Sequence, residues 1–283
     1  NVFTGIYRHF DFRYVDIENI FRDFSRDPDD ETAYDFAFTD WLLAELQKCG
    51  ARPFYRLGAT IENYHRIKAY HIFPPSDNLK WARICEHIIM HYNEGWADGF
   101  HYGIEYWEIW NEPDNEPEIK DNPMWKGTKE QYFELYEVSA NYLKKRFPDL
   151  KIGGYASCGF YALQGGVYIP GANSSPRTDY FIDFFQAFLA CISSKEHRSP
   201  LDFFSFHSYA NAETTGVHAD YARRELDRYG FGGAELILNE WSPYGAKFRG
   251  EMRAVSETAA MMCVMQEKPV EMLMFYDGQV NNS

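Results

Sequence analysis

The sequence predicts an α/β fold of the (β/α)8 TIM-type barrel kind, in one domain over residues 1–283. Three observations predict it. Strand-like runs alternate with amphipathic helical stretches along the chain. The runs are apolar nearly throughout, as strands buried on both faces of a parallel sheet are. A length of 283 residues also suits one such barrel.

The first strand-like run is Phe12 to Ile17, FRYVDI, with Glu18 and Asn19 directly after it. An acidic loop, Asp27 to Glu31, leads to a helix over Tyr34 to Cys49, whose apolar positions are Phe36, Phe38, Trp41, Leu42, Leu43 and Leu46. Gly50 stands where a helix-closing glycine belongs, and Pro53 to Leu57 is the next strand. Asp77 caps a helix over Leu79 to His91 with Trp81, Ile84, Ile88 and Ile89 on its inner face, and Ile104 to Trp110 follows as a strand. Thr128 and Gln131 make a capping box for a helix through Tyr132 to Arg146, followed by a strand at Lys151 to Tyr155. The alternation continues with a helix at Asp179–Ser193 and the strand Leu201–Tyr209, LDFFSFHSY. A helix at Ala219–Tyr229, closed by Gly230, precedes the strand Glu235–Glu240. The helix Glu251–Gln266 and the strand Glu271–Tyr276 complete seven strands. An eighth strand with its helix does not fit into the eleven residues before Phe12, so the expected barrel is incomplete at its N-terminal end.

Net charge is −14, with a pI near 5.1. Such a field repels polyphosphates and anionic lipid, which excludes nucleic acid as an expected partner. No run of about 18 apolar residues offers a membrane span, and the opening NVFTGIYRHF lacks the basic-then-apolar pattern of an export signal. Cys49, Cys85, Cys158, Cys191 and Cys263 are widely spaced and odd in number, which argues against a zinc knuckle or a disulfide framework. They are expected to be buried free thiols, which favours a reducing, cytoplasmic compartment, with secretion the alternative if a signal peptide was removed. The histidines form no H-E-x-x-H pattern, so no metal or cofactor is expected, and His65, His71, His91 and His101 read as loop, cap or surface residues. The cluster Asp114, Glu116, Glu118 and Asp121 reads as a solvated loop, since it lacks the spacing of a cation-binding loop.

The chemistry is expected at two strand ends. In Ile104 to Pro113, IEYWEIWNEP, a strand runs out at Asn111, Glu112 and Pro113, and proline cannot extend a ladder. Alternation from Glu112 puts Trp110, Glu108 and Tyr106 on its side, with Glu108 deeper and read as a structural hydrogen-bonding group. The run ELILNEW places Glu240 at the end of its own strand in the same way. In a parallel barrel this rim is where chemistry is assembled. Two carboxyls across a cleft are the minimal equipment for cleaving a glycosidic bond, one protonated to donate and one ionised to attack or to activate water. Ser205, His207 and Tyr209 share one parity on their strand, and a composition of 18% aromatic residues suits a sugar-stacking cleft.

On the residues EIWNEPD, GTKEQYFELYEVSANYLKKRFPDLKIGGYA, LDFFSFHSYA, LILNEWSP and MLMFYDG, the chain resembles glycoside hydrolase family 39, the β-xylosidase type, within the clan of retaining (β/α)8-barrel glycosidases. The resemblance implies Glu112 as general acid/base and Glu240 as the nucleophile that forms a glycosyl-enzyme. It implies Asn111 as a partner of the sugar hydroxyl beside the reacting carbon, His207 in the pocket, and Tyr209 near the nucleophile. Trp241 and Tyr276 are candidates for sugar-stacking walls. Asp16 and Glu18 stand where the family usually carries Arg and His, and Arg56 where it often carries Glu. That exchange of charge makes Glu18 a candidate of the sugar subsite and leaves the sugar open. No stretch of residues 1–283 is expected to form the family's usual accessory β-sandwich, and Phe275 and Tyr276 replace a frequent Trp. The expected substrate is a β-linked xylose-type glycoside or oligosaccharide from plant polysaccharide. The alternatives are a uronic-acid-specific glycosidase of the same clan, with Arg56 or Lys247 at the sugar carboxylate, and a catalytically inactive carbohydrate-binding barrel fragment.

Overall fold

The computed structural model describes residues 2–3, 17–59, 72–172, 174–243, 247–248 and 250–276, with side chains from residue 19 onward. The first strand, β1 (Val2–Phe3), pairs in parallel with β2 (Pro53–Leu57) through Val2–Pro53 and Phe3–Phe54. This corrects the expected start of the sheet, because two residues are too few to carry a strand pattern in sequence. Of the run read as the first strand, Phe12 to Asp16 lie outside the described residues, and Ile17 opens the short helix α1 (Ile17–Ile20). His65 and His71 also lie outside them.

After α2 (Ala37–Lys48) and β2 come α3 (Asn78–Asn93), β3 (Tyr106–Ile109), α4 (Lys129–Arg146) and β4 (Lys151–Ser157). A small antiparallel hairpin, β5 (Leu163–Gln164) and β6 (Val167–Tyr168), stands apart from the main sheet. The chain continues through α5 (Pro176–Ser193), β7 (Phe203–Ser208), α6 (Ala212–Arg228), β8 (Glu235–Trp241), α7 (Met252–Met265) and β9 (Met272–Phe275). The main sheet has seven strands in the order β1-β2-β3-β4-β7-β8-β9, all parallel. It is curled: Asn239 on β8 donates to Glu108 on β3, two strands away from its own neighbour, at 2.8 Å. The result is a partial TIM-type barrel with β1 and β9 as its edges.

Local chemistry sets most helix starts. Asp77 accepts from the Lys80 N–H, and Thr128 and Gln131 form the expected capping box. Helix α6 begins at Ala212, seven residues before the expected start. Asn211 caps it by accepting from the Thr214 N–H, and packing offsets the poor helix propensity of Thr214, Thr215 and Gly216. A Cβ on Gly216 would lie 2.9 Å from Lys268 Cε and 3.3 Å from Val264 Cγ1, so the glycine lets α7 approach.

The helices press one apolar layer onto the outside of the sheet, with Trp81, Trp107, Tyr132, Phe188 and Leu236 among its fully buried members. A second, smaller cluster of Phe54, Phe203, Ile237 and Met274 fills the inside at the N-terminal end of the strands. Trp41, expected on the inner face of its helix, is instead exposed. His91 corrects the surface reading in the other direction. It is buried, stacked on Phe36, with its ring nitrogens on the Asp40 carboxylate at 2.9 Å and the Trp96 carbonyl at 2.8 Å. All five cysteines are unpaired, but only Cys85 and Cys158 are buried. Among the described residues no helix is long and apolar enough to cross a membrane.

Candidate active site

Strand β3 ends at Ile109, so Glu112 sits three residues past the ladder and not on it. Trp110 and Glu112 have φ of 75° and 47°, a left-handed backbone that costs a non-glycine residue about 1–2 kcal/mol. These two turns break the alternation expected from Glu112. Trp110 swings out among the helices, near Trp81 and Trp125, and its Nε1 donates to the Met124 carbonyl at 2.9 Å. Glu108 stays inside. The Glu112 N–H is fixed by the carbonyls of Tyr155 and Ala156, each at 3.2 Å, which tie the loop to β4.

A second irregularity positions Glu240. The registers of β7–β8 and β8–β9 shift between Phe206 and His207 and between Leu238 and Trp241. Two consecutive residues, Asn239 and Glu240, therefore both turn inward, as a bulge allows. The cost falls on Trp241, which is rotated into the outer core, 99% covered and edge-on to Phe275. It is not the sugar-stacking wall expected of it.

Below the rim lies a polar floor. Arg56 Nε pairs with Glu108 Oε2 at 2.6 Å, both side chains buried. Glu108 Oε1 accepts from Ser205 Oγ at 2.5 Å and Asn239 Nδ2 at 2.8 Å. Glu108 is thus the hydrogen-bonded structural group the strand pattern implied. Arg56 thus has an ion pair on the neighbouring strand; Asp16 and the side chain of Glu18, the other members of the expected exchange of charge, lie outside the described residues. Lys247, the other cation considered for an acidic sugar, is exposed beside Phe248.

Above this floor the structure brings Glu112, His207, Tyr209 and Glu240 together. His207 Nδ1 lies 2.7 Å from Glu112 Oε1 and 3.7 Å from Glu240 Oε1, and the Tyr209 hydroxyl donates to Glu240 Oε1. The second oxygen of Glu112 accepts from Asn115 Nδ2 at 2.7 Å. Burial works against the imidazolium, but the charges of Glu240 and Glu112 outweigh it and hold His207 above its ordinary pKa. Burial pushes Glu112 up; the His207 hydrogen bond and charge, the Asn115 amide and the Arg56 charge bring it net below the usual range. Glu240 is held above that range by burial and by the Glu112 charge, against the pull of His207 and Arg56. Tyr209 is pushed up by burial and by the Glu240 carboxylate, so it is a hydroxyl donor at any ordinary pH.

The remaining expected residues divide. Asn111, next to Glu112 in the chain, is buried, and among the described residues neither its Oδ1 nor His207 Nε2 has a hydrogen-bond partner. Both are buried polar atoms with unused hydrogen-bonding capacity. Tyr276 is half-buried, its ring 6.2 Å from that of Tyr209 and perpendicular to it. Glu18 falls on α1, with its side chain outside the described residues. Glu112, His207 and Glu240 also form a potential metal-binding trio, each with a donor atom within 4.8 Å of the others. The hydrogen bond and charges within the trio account for that closeness.

Asp114 was missed. Read as solvated loop, it is fully buried, accepting from Ser157 Oγ at 2.8 Å and from the Cys158 N–H. Its neighbours Glu118 and Asp121 are exposed, and Glu116 pairs with Arg177. The NEPD run carried no signal for this, because the left-handed turn at Glu112 is what drives Asp114 inward. Burial raises its pKa to about 7, with the Glu112 charge adding to the rise. A folded pKa above the unfolded one means that the native state holds the proton longer. Stability should therefore fall as pH rises from the ordinary carboxylate range to about 7. Asp114→Asn should flatten that slope in urea midpoints measured from pH 4 to 8; an unchanged slope would assign it to other groups.

Comparison with known proteins adds the following. A family model described as Glycosyl hydrolases family 39 matches residues 2–228. A β-xylosidase of Geobacillus stearothermophilus is 28% identical over 234 residues, covering 76% of this chain and 40% of that protein. A second β-xylosidase, of Caldicellulosiruptor saccharolyticus, is 29% identical over 142 residues, 47% of this chain and 27% of its own length. Among solved structures, a glucosidase from Croceicoccus marinus superimposes with a TM-score of 0.71 at 26% identity, over 90% of this chain and 48% of the other. A family 39 β-xylosidase from Caulobacter crescentus gives 0.58 at 22% identity, over 86% and 49%. The chain spans less than half the length of each.

Proposed function

This chain belongs to glycosyl hydrolase family 39, and from that premise we propose that it carries the active site of a retaining β-glycosidase for xylose-type glycosides of plant polysaccharide. The observation that carries the reading is the spacing of the carboxylates. An oxygen of Glu112 and one of Glu240 lie within 4.8 Å of each other, a closeness that suits the roughly 5–5.5 Å separation of carboxyl groups in retaining enzymes better than the roughly 6.5–9.5 Å that leaves room for an inverting water.

In the first step the Glu240 carboxylate attacks the anomeric carbon while the glycosidic oxygen leaves with the Glu112 proton, giving a glycosyl ester on Glu240. In the second, Glu112 takes a proton from water as its oxygen attacks the anomeric carbon, which frees Glu240 and releases the sugar with retained configuration. Tyr209 donates to the nucleophile, and Asn111 and His207 Nε2 bind sugar hydroxyls. In the free site Glu112 is depressed and Glu240 raised, the reverse of the order that the first step needs. His207 touches both carboxylates, so it is the group that returns a proton to Glu112 when a sugar fills the cleft.

A glucoside is the second reading, favoured by the likeness to the Croceicoccus glucosidase. A panel of aryl β-glycosides, the xyloside and glucoside foremost, decides between them by aglycone release from the purified chain. Release from no member, together with binding of xylobiose in a calorimeter, would replace the enzyme reading by a carbohydrate-binding one.

A further inference from the structure

The proposed acid/base, Glu112, has hydrogen-bonded neighbours on both oxygens, and the two sides differ in kind. On Oε1 sits His207, which can give up or take a proton. On Oε2 sits Asn115, which cannot. The Asn115 amide is fixed in one orientation, because its Oδ1 accepts from Arg177 Nη2 at 3.1 Å and its backbone carbonyl accepts from Arg177 Nε at 2.8 Å. A guanidinium only donates, so the oxygen of the amide must face Arg177 and its NH2 must face Glu112. Arg177 is itself anchored in the first turn of α5 by Glu116 at 2.7 Å and by the Phe181 ring.

We propose that Asn115, clamped by Arg177, is a positioning residue that keeps the acid proton of Glu112 off Oε2 and on Oε1, the oxygen facing His207. This rests on Glu112 being the acid/base. An NH2 donor at 2.7 Å stabilises a bare, charged Oε2 and competes with a proton for that oxygen. The proton of the first step is then always delivered from Oε1, and its only adjacent proton carrier among the described residues is His207 Nδ1. The strained turn at Glu112 brings the two residues face to face, since Asn115 lies only three positions further along the same loop.

Carboxyl 13C titration of the chain, with Glu112 assigned by Glu112→Gln, reads this directly. Asn115→Ala should raise the Glu112 midpoint by about one pH unit, a tenfold gain in proton affinity. Arg177→Met, which leaves Asn115 in place but unclamped, should raise it less. Other groups act on the same carboxyl: His207 from β7 and Tyr209 just after it, Glu240 from β8, Arg56 from β2, Cys158 and Tyr161 from the segment after β4, and Asp114 in its own loop. None of them is altered by these substitutions. In turnover, Asn115→Ala should slow glycosides with poor leaving groups more than those with acidic phenols, because only the former depend on proton delivery. An unmoved Glu112 midpoint in Asn115→Ala would overturn the proposal. Full activity in Glu112→Gln would instead remove the acid/base reading, and the titration would still decide what Asn115 does to the oxygen.

Discussion

Glu240→Gln is expected to abolish turnover of every glycoside, on the order of 10⁴-fold or more in kcat, whatever the leaving group. A neutral amide of the same shape keeps the Tyr209 contact but cannot form the glycosyl ester. Glu112→Gln is expected to behave differently. It should cost about 10²–10⁴-fold for poor leaving groups, where protonation carries the step, and much less in the first step for acidic phenols that leave unaided. With those phenols a burst of aglycone should precede a slow steady state, because Gln cannot activate the deglycosylating water. Stopped-flow aglycone release from both variants separates the roles. Equal losses across all leaving groups in both would contradict the assignment, and a burst in Glu240→Gln in place of Glu112→Gln would exchange it.

Arg56→Ala is expected to destabilise the fold by about 3–5 kcal/mol, since it leaves the Glu108 carboxylate buried without its cation. Against a total stability of roughly 5–15 kcal/mol, that is enough to unfold part of the population at ambient temperature. The penalty belongs to the orphaned charge, so adding Glu108→Gln to Arg56→Ala should recover a large part of it. Urea unfolding of the single and double variants measures both values. A loss below about 1 kcal/mol in Arg56→Ala would mean that Ser205 and Asn239 alone suffice to hold the carboxylate. Activity should fall as well, because the same guanidinium charge lowers the proton affinity of both Glu112 and Glu240.

Much of the barrel was legible because its signals are local. A capping box at Thr128, a cap at Asp77 and near-continuous apolar runs such as LDFFSF depend on neighbours a few residues away. The runs ending in NEP and NEW likewise marked two carboxylates at one rim. Val2–Phe3 was invisible for the opposite reason, since a two-residue strand exists only by its pairing with Pro53 and Phe54. The start of α6 was read late because Thr214, Thr215 and Gly216 are poor helix formers, and the contact with α7 that favours them is tertiary.

The residue types of the site, their order and their placement at strand ends are properties of the sequence by itself. So is membership of the family, since the family model matches residues 2–228 of the sequence itself. Which side chains meet was decided only by the tertiary structure. A period-two pattern assigns faces correctly while the ladder is regular, as it did for Glu108 and Ser205. It fails where the backbone leaves the ladder: the left-handed turns at Trp110 and Glu112, and the bulge that turns Asn239 and Glu240 inward together. Those departures send Trp110 and Trp241 into the outer core, bury Asp114, and set Asn115 against Glu112. Each depends on contacts between residues far apart in the chain, such as Glu112 with Tyr155 and His207 with Glu240, which no local pattern encodes.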